Sequence, residues 1–231
     1  MARVGVADPV EDPSLAPPEQ RPAATLVAVS QGLRDVDVVR AAAAGCRACE
    51  LWARATQTVF GSGPVPARLM LIGEQPGDKE DLAGEPFVGP AGGILARALE
   101  EAGIDRESAF VTNVVKHFKW RPTPGGKRRL HEKPNKVEVG ACLPWVESEL
   151  ALVKPEALVL LGATAASALA GPKVSVTRDR GNPLPVDLAP FVVATVHPSS
   201  ILRAGSGRDA AYAAFVRDLR GVARRLESKS A

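Results

Sequence analysis

Four short apolar runs, set between helix-forming segments, constrain the fold more than any other feature of the sequence. They are RLMLIG (68–73), AFVTNVV (109–115), ALVLLG (157–162) and VVATVH (192–197). Short continuous apolar runs are typical of strands buried on both faces of a parallel sheet. Because helical patterns separate the runs, the sequence predicts a three-layer α/β/α sandwich with a central, mainly parallel four-stranded sheet.

The rest of the chain fits one folded domain with a tail. Residues 1–25 hold five prolines among acidic residues, which predicts a disordered tail, and residues 26–231 are predicted to form a single domain. The chain is 45% hydrophobic and 24% charged, as in soluble globular proteins. No apolar run approaches the roughly 18 residues of a membrane span, and no basic, apolar leader begins the chain. We therefore expect a cytoplasmic protein, acting as a monomer.

Polar residues follow three of the predicted strands. They are Gly73-Glu74-Gln75, Thr112-Asn113 and His197-Pro198. Ligands of parallel α/β folds bind beyond the carboxyl ends of the strands, so these residues are expected at one site. The dinucleotide-binding pattern GxGxxG does not follow any of the strands.

A basic stretch covers residues 116–136, with eight Lys and Arg against one acid, Glu132. Since the whole chain carries a net charge of only +3, this local excess indicates a partner that is a polyanion, such as nucleic acid. Pro122, Gly125 and Gly126 break any helix, so KRRLH is predicted to lie on a loop. Cationic loops are also common as plain solvated surface, so charge alone leaves both interpretations open.

The chain holds three cysteines, Cys46, Cys49 and Cys142. Three thiols cannot all pair with one another, which argues against a disulfide framework. Metal or cluster binding, a redox dithiol and inert core thiols remain as alternatives.

Four motifs occur in order along the chain: GEQPG after the first strand, PFVGPAG, TNVVK and HPSS. Taken together they resemble the uracil-DNA glycosylase superfamily, and the resemblance spans Cys46 to Leu219. The cysteine-bearing family 4 enzymes are the most similar type. GGKRRLH (125–131) is similar to the insert of the UdgX type, whose members become covalently trapped on uracil-containing DNA.

This resemblance implies a pocket for a uracil held outside the base stack. It implies that Phe87 stacks on the base, that Asn113 reads the imide edge, and that Gln75 and Asp78 bind substrate. His197 would stabilise the departing uracil anion. Taken alone, a loop Phe is more often a core residue, and a loop Asn more often bonds the backbone.

The resemblance gives His131 the role of nucleophile. Its imidazole would attack the anomeric carbon, C1′, and Glu74 would orient it. The neighbouring cations are expected to disfavour the charged imidazole and so preserve the lone pair; they are Lys127, Arg128, Arg129 and Lys133. Without the flanking motifs, His131 would be interpreted as an exposed loop histidine.

Two further groups are expected to contact DNA. Lys127, Arg128 and Arg129 would act from the loop, where Arg129 would also fix the loop's position. Ser199 and Ser200 fit an N-cap whose free amides bind a phosphate, or one that simply caps a helix.

In the family 4 enzymes that the chain resembles, four cysteines bind a [4Fe–4S] cluster. Cys46, Cys49 and Cys142 match three of them, and His117 stands where the third in sequence would be. The resemblance therefore implies a structural [4Fe–4S] cluster with Cys₃His ligation. The same four ligands would also suit a zinc ion, which we expect less than the cluster.

The resulting expectation is a uracil-DNA glycosylase that prefers single-stranded DNA and remains bonded to the abasic sugar through His131. One alternative is an ordinary turnover glycosylase of the family 4 kind. Another is a non-catalytic DNA-binding module.

Overall fold

A four-stranded parallel sheet lies at the centre of the protein, as the apolar runs predict. The computed structural model describes residues 35–126 and 128–228, so the predicted tail (1–25) and Lys127 lie outside the described residues. The strands are β1 (Leu69–Gly73), β2 (Ala109–Asn113), β3 (Trp120–Pro122), β4 (Arg129–His131), β5 (Ala157–Leu161) and β6 (Phe191–Thr195). The central sheet has the order β2-β1-β5-β6, and all neighbours are parallel.

Helices cover both faces of the sheet and complete the three predicted layers. They are α1 (Val36–Ala44), α2 (Asp78–Ala83), α3 (Pro90–Glu101), α4 (Lys136–Val153), α5 (Ala163–Ala170), α6 (Val176–Asp179), α7 (Pro198–Leu202) and α8 (Arg208–Glu227). Leu69 and Leu71 of β1 pack with α3 and α8, whereas Met70 and Ile72 pack with α4 and α5. This alternation is why β1 is apolar at every position. In the described residues, no helix is both long and apolar enough to cross a membrane.

The basic stretch folds differently from the prediction. KRRLH was expected on a loop, but Arg129–His131 form β4, which pairs antiparallel with β3. Gly125 and Gly126 have φ angles of 86° and 71°, so they form a tight turn that lets the two short flanking segments pair. Trp120 lies opposite His131 in this β3–β4 hairpin.

Candidate active site

A cavity of about 1000 Å³ opens at the carboxyl ends of the central strands. Nine of the predicted site residues line it: Glu74, Gln75, Asp78, Phe87, Asn113, His131, His197, Ser199 and Ser200. The three strand ends therefore meet in one place, as the parallel sheet predicts.

Three of these side chains converge on Gly73, the last residue of β1. A Cβ atom added to Gly73 would lie 2.7 Å from Phe87 Cζ and 3.4 Å from His197 Nε2, and it would also overlap Asn113 Oδ1. The Phe87 and His197 rings are stacked, with centroids 6.0 Å apart and an interplanar angle of 30°. Because Gly73 has no side chain, an aromatic face, an amide and an imidazole come together at one place in the cavity lining, and these are groups that can bind a planar heterocycle.

Phe87 holds a backbone conformation that is rare outside glycine, with φ at 59°. The first turn of α3 passes so close behind it that a Cβ at Gly92 would overlap the Phe87 carbonyl. The PFVGPAGG sequence therefore supplies glycine where the chain must pack against Phe87, and this packing directs the ring into the cavity.

His197 is held as a neutral imidazole with one defined tautomer. The Ser199 amide donates to His197 Nδ1 at 3.2 Å, which leaves the ring proton on Nε2, the nitrogen nearest Gly73. Burial lowers the pKa of His197 to about 4, and the charges of Arg203 and His131 act in the same direction. At neutral pH, Nε2–H is therefore a hydrogen-bond donor that faces the cavity.

The seryl amides have partners within the protein. His197 itself is the N-cap of α7, and the Ser200 amide donates to the His197 carbonyl at 2.8 Å. In this structure the Ser199 amide is bonded to the imidazole and the Ser200 amide to the His197 carbonyl, an arrangement that caps α7. A phosphate contact by Ser199 and Ser200 stays a prediction.

His131 projects from β4 into the same cavity and lies 3.5 Å from Glu74, measured from Nε2 to Oε1. Its pKa is lowered, first by burial and then by the charge of Arg203, whereas Glu74 raises it. The direction agrees with the sequence prediction, but the cause differs. Among the described cations, Arg203 at the end of α7 is the one that disfavours the charged imidazole.

The second oxygen of Glu74 accepts a hydrogen bond from Thr164, a residue that the sequence analysis missed. Thr164 lies at the start of α5, just beyond β5. Ligands bind beyond the carboxyl ends of parallel strands, and this rule predicted the other three strand ends. It applies equally to the end of β5, so the sequence did contain a signal for Thr164. The Glu74 carboxylate is thus fixed from one side by Thr164 and faces His131 on the other.

Gln75 joins the β3–β4 hairpin to the end of β1. Its Nε2 donates to the carbonyls of Lys119 and Glu132, and its Oε1 accepts from the Lys119 amide. The side-chain amide predicted to bind substrate is therefore engaged with both strand segments of the hairpin. These hydrogen bonds fix the position of the hairpin, and with it the position of His131, relative to the cavity.

Arg129 fastens the same hairpin to α2. Its guanidinium lies 2.5 Å from carboxylate oxygens of both Asp78 and Asp81 and close to the rings of Phe118 and Trp120. These contacts attach the hairpin to α2, and the two carboxylates leave the Arg129 cation less available to a phosphate. The predicted DNA contact of Arg129 stays a prediction. By contrast, Arg128 is exposed at the turn.

The basic stretch is consequently less available to a polyanion than its composition suggests. Lys116 is fully buried and paired with Glu149 at 2.7 Å, and Lys119 pairs with Glu138 at 3.0 Å. The TNVVK segment that leaves β2 turns into the core, which brings Lys116 inside. Composition alone could not separate these buried cations from surface ones.

The three cysteines and His117 form a second, buried site behind the cavity. A hydrogen bond from Cys142 lowers the pKa of Cys49 to about 5, with nearby His117 acting in the same direction and burial opposing. The pKa of Cys142 is raised by that hydrogen bond and by burial. The Trp145 indole donates to Cys46 Sγ at 3.2 Å. Cys49, Cys142 and His117 thus lie close to one another, and Cys46 lies near Cys142.

His117 has the features of a metal ligand. Its Nε2 is 2.9 Å from Thr58 Oγ1, and its Nδ1 is buried with no hydrogen-bond partner in the described residues. A buried nitrogen without a partner is costly, and a bound metal would remove that cost. Within the described chain, no three Cys, His, Asp or Glu side chains converge on one point as the ligands of a single ion must.

Comparison with known proteins is consistent with this geometry. The model of the uracil DNA glycosylase superfamily matches residues 60–220. The chain is 40% identical over 159 residues to the Type-4 uracil-DNA glycosylase of Thermotoga maritima, covering 68% of this chain and 78% of that protein. The Archaeoglobus fulgidus protein of the same name is 34% identical over 164 residues, with the same two coverages. That of Pyrobaculum aerophilum is 40% identical over 124 residues, which cover 54% of this chain and 59% of its own length. The family match covers well over half of the chain, and the protein belongs to the uracil-DNA glycosylase superfamily.

Proposed function

We propose that this protein excises uracil from DNA and then remains covalently joined to the abasic deoxyribose through His131. One observation carries the proposal: His131 lines the same cavity as Phe87, Asn113 and His197, with Glu74 3.5 Å away. The proposed nucleophile and the proposed base-binding residues thus face one cavity. The names of the Type-4 relatives support the glycosylase part of the proposal.

Base recognition would use the groups around Gly73. Phe87 offers a face for stacking, worth about 1–3 kcal/mol per base, and Asn113 offers an acceptor and a donor to the imide edge. The Nε2–H of His197 donates to a uracil carbonyl and stabilises the anion as it leaves. Because the cavity takes only a base that is out of the stack, single-stranded DNA is the favoured substrate.

The covalent step exchanges one bond to C1′ for another. The N1–C1′ bond breaks and its electron pair leaves with uracil, while the imidazole lone pair of His131 forms the new N–C1′ bond. The uracil anion gains a proton and the alkylated imidazole loses one, both through water. A neutral imidazole is required, which agrees with the lowered pKa of His131. An oriented nucleophile has an effective molarity on the order of 10⁵ M, so it can react faster than water.

The decisive experiment is peptide mapping after incubation with an oligonucleotide containing deoxyuridine. The expected result is an adduct that survives boiling in detergent, with the sugar on the peptide containing His131. His131→Ser should abolish the adduct and still release uracil through water. Arg121→Gln is the matched control, because Arg121 lies on the same hairpin, is exposed and is not part of the cavity lining.

The same experiment separates the alternatives. Free uracil and abasic DNA without an adduct would identify a turnover enzyme. Equal binding of undamaged and uracil-containing DNA without uracil release would identify a DNA-binding module. Comparing single and double strands in the assay tests the strand preference.

For the cysteine site, we propose a [4Fe–4S] cluster bound by Cys46, Cys49, Cys142 and His117. The burial of all four residues and the unpartnered Nδ1 of His117 support this assignment. The cluster would tie together the segments that hold its ligands, and it would supply no step of the reaction. Purified protein should be brown, with visible absorption that disappears in a Cys49→Ser variant. Colourless protein containing zinc would contradict the assignment.

A further inference from the structure

A buried ion pair lies directly behind Asn113. The side chains of Lys116 and Glu149 both have 0% relative exposure, with Nζ and Oε2 2.7 Å apart. Glu149 belongs to α4 and Lys116 to the segment that leaves β2, so the pair joins a helix to the end of a central strand.

Every polar hydrogen of the Lys116 ammonium has an acceptor. Besides Glu149, Nζ donates to Thr112 Oγ1 at 2.7 Å and to the Asn113 carbonyl at 2.8 Å. Glu149 Oε1 in turn accepts from Thr112 Oγ1 at 3.0 Å and from the Gly61 amide at 2.9 Å. Each donor hydrogen of the ammonium and each oxygen of the carboxylate therefore has a partner, and these partners define a single arrangement of the two side chains.

Stability is a weak reason for such a pair. Burying two charges costs several kcal/mol each, and well-packed apolar residues of the same volume are often equally stable or more so. The directional contacts suggest a different role. The amides of Val114 and Val115 bond to the Gly73 and Glu74 carbonyls at 2.9 Å, and Lys116 holds the Asn113 carbonyl from below. Both the carbonyl and the amide of the peptide group between Asn113 and Val114 are therefore held by hydrogen bonds.

We infer that the Lys116–Glu149 pair is a positioning element for base recognition, acting through Asn113. By fixing the carbonyl of Asn113, the pair fixes the direction in which its side-chain amide meets the base. The inference rests on the proposed function, because it takes Asn113 as the residue that reads uracil. It assigns a role to two buried residues that do not contact the substrate.

The test removes both charges together. In the double variant Lys116→Met/Glu149→Gln, residue 149 still offers an oxygen to the Gly61 amide and to Thr112, and no unpaired charge stays buried. We expect the variant to fold with a lower melting temperature, because the Asn113 carbonyl and Thr112 Oγ1 lose the donor that Lys116 supplies. We also expect a 10- to 100-fold lower maximal rate of uracil release in single turnover, since small misplacements of a reacting group cost up to about 100-fold. The half-saturating DNA concentration should change less than twofold.

A double-mutant cycle separates positioning from general damage. If the pair acts through Asn113, the double variant should lose little further activity in an Asn113→Ala background. Equal losses with and without Asn113, or a wild-type rate in the double variant, would overturn the inference. If wild-type protein releases no uracil, the proposed function fails instead, and the two failures are therefore distinct.

A second variant covers the case in which the double variant does not fold. Thr112→Val keeps both charges and removes only the hydroxyl that links Lys116 to Glu149 Oε1. A smaller rate loss that also vanishes in the Asn113→Ala background is expected. A loss that is unchanged there contradicts the inference.

Discussion

At the scale of single residues, the two oxygens of Glu74 have different partners. Oε2 accepts from the Thr164 hydroxyl, and Oε1 faces His131 Nε2 at 3.5 Å. Thr164 is buried, and its bond to the carboxylate is partly buried at the cavity wall. It therefore selects the carboxylate orientation that faces His131, the proposed nucleophile.

Thr164→Val should slow adduct formation about tenfold or more, because a hydrogen bond to a charged group is worth about 1.5–3 kcal/mol. Thr164→Ser should restore most of the rate. The measurement is the single-turnover rate constant, read as adduct on a denaturing gel. Thr177→Val is the matched control, since Thr177 lines the same cavity and has no bond to Glu74 in the described chain. Equal losses in the two valine variants would rule out orientation by Thr164.

His197 should make stability depend on pH. Its pKa in the fold is about 4, below the ordinary value of 6.5, so the folded state binds fewer protons than the unfolded chain between these values. The contribution of His197 to the free energy of unfolding is fully present above pH 6.5 and is lost as the pH falls towards 4. Between pH 7 and 5 the loss is at most about 2 kcal/mol.

His197→Asn should remove this component while keeping an acceptor for the Ser199 amide. Urea midpoints measured at pH 7 and pH 5 should therefore fall further in the wild type than in the variant. Parallel losses in the two proteins would mean that the folded imidazole titrates normally.

At the scale of elements, the β3–β4 hairpin depends on its attachments. Two strands of three residues each are marginal alone, so the contacts of Gln75 and Arg129 hold the hairpin over the cavity. Arg129→Gln removes the ion pairs to Asp78 and Asp81. We expect adduct yield to fall several-fold while uracil release through water continues, because the base-binding groups lie on other elements.

Arg121→Gln provides the control for this prediction. Arg121 lies on the same hairpin but is exposed and is not part of the cavity lining, so adduct yield should stay near the wild-type value. If both variants lower the yield equally, the effect is one of loop charge and not of hairpin attachment.

The elements differ in how far the sequence could predict them. Strands such as Leu69–Gly73 are apolar at every position because both faces are buried, and this pattern was sufficient for the fold and for three of the strand ends. The hairpin strands of three residues are too short to show a period. Contacts such as Thr164 to Glu74 join residues 90 positions apart, so only the folded chain reveals them.

At the scale of the whole molecule, the cavity and the cysteine site share one segment. Residues 113–117 run from Asn113 at the cavity to His117 at the cysteines, and the Lys116 amide bonds to Cys142. On the other side of the cysteines, α1 packs through a small separate cluster that includes Val39 and Trp145. Such a peripheral cluster is expected to open more easily than the two cores on the sheet.

Removing the proposed cluster should therefore loosen the molecule unevenly. After treatment with an oxidant and a chelator, amide hydrogen exchange should become faster in α1 and in residues 113–117, while β1 stays protected. The reason is that the ligands tie residues 46–49 to α4 and to the exit of β2, whereas β1 lies between two packed faces. Cys46→Ala without treatment should show the same pattern. Unchanged exchange after proven iron loss would contradict a structural role. Simultaneous loss of protection in β1 would mean that the cluster supports the entire fold. Any effect of the cluster on base recognition would then be a consequence of global stability alone.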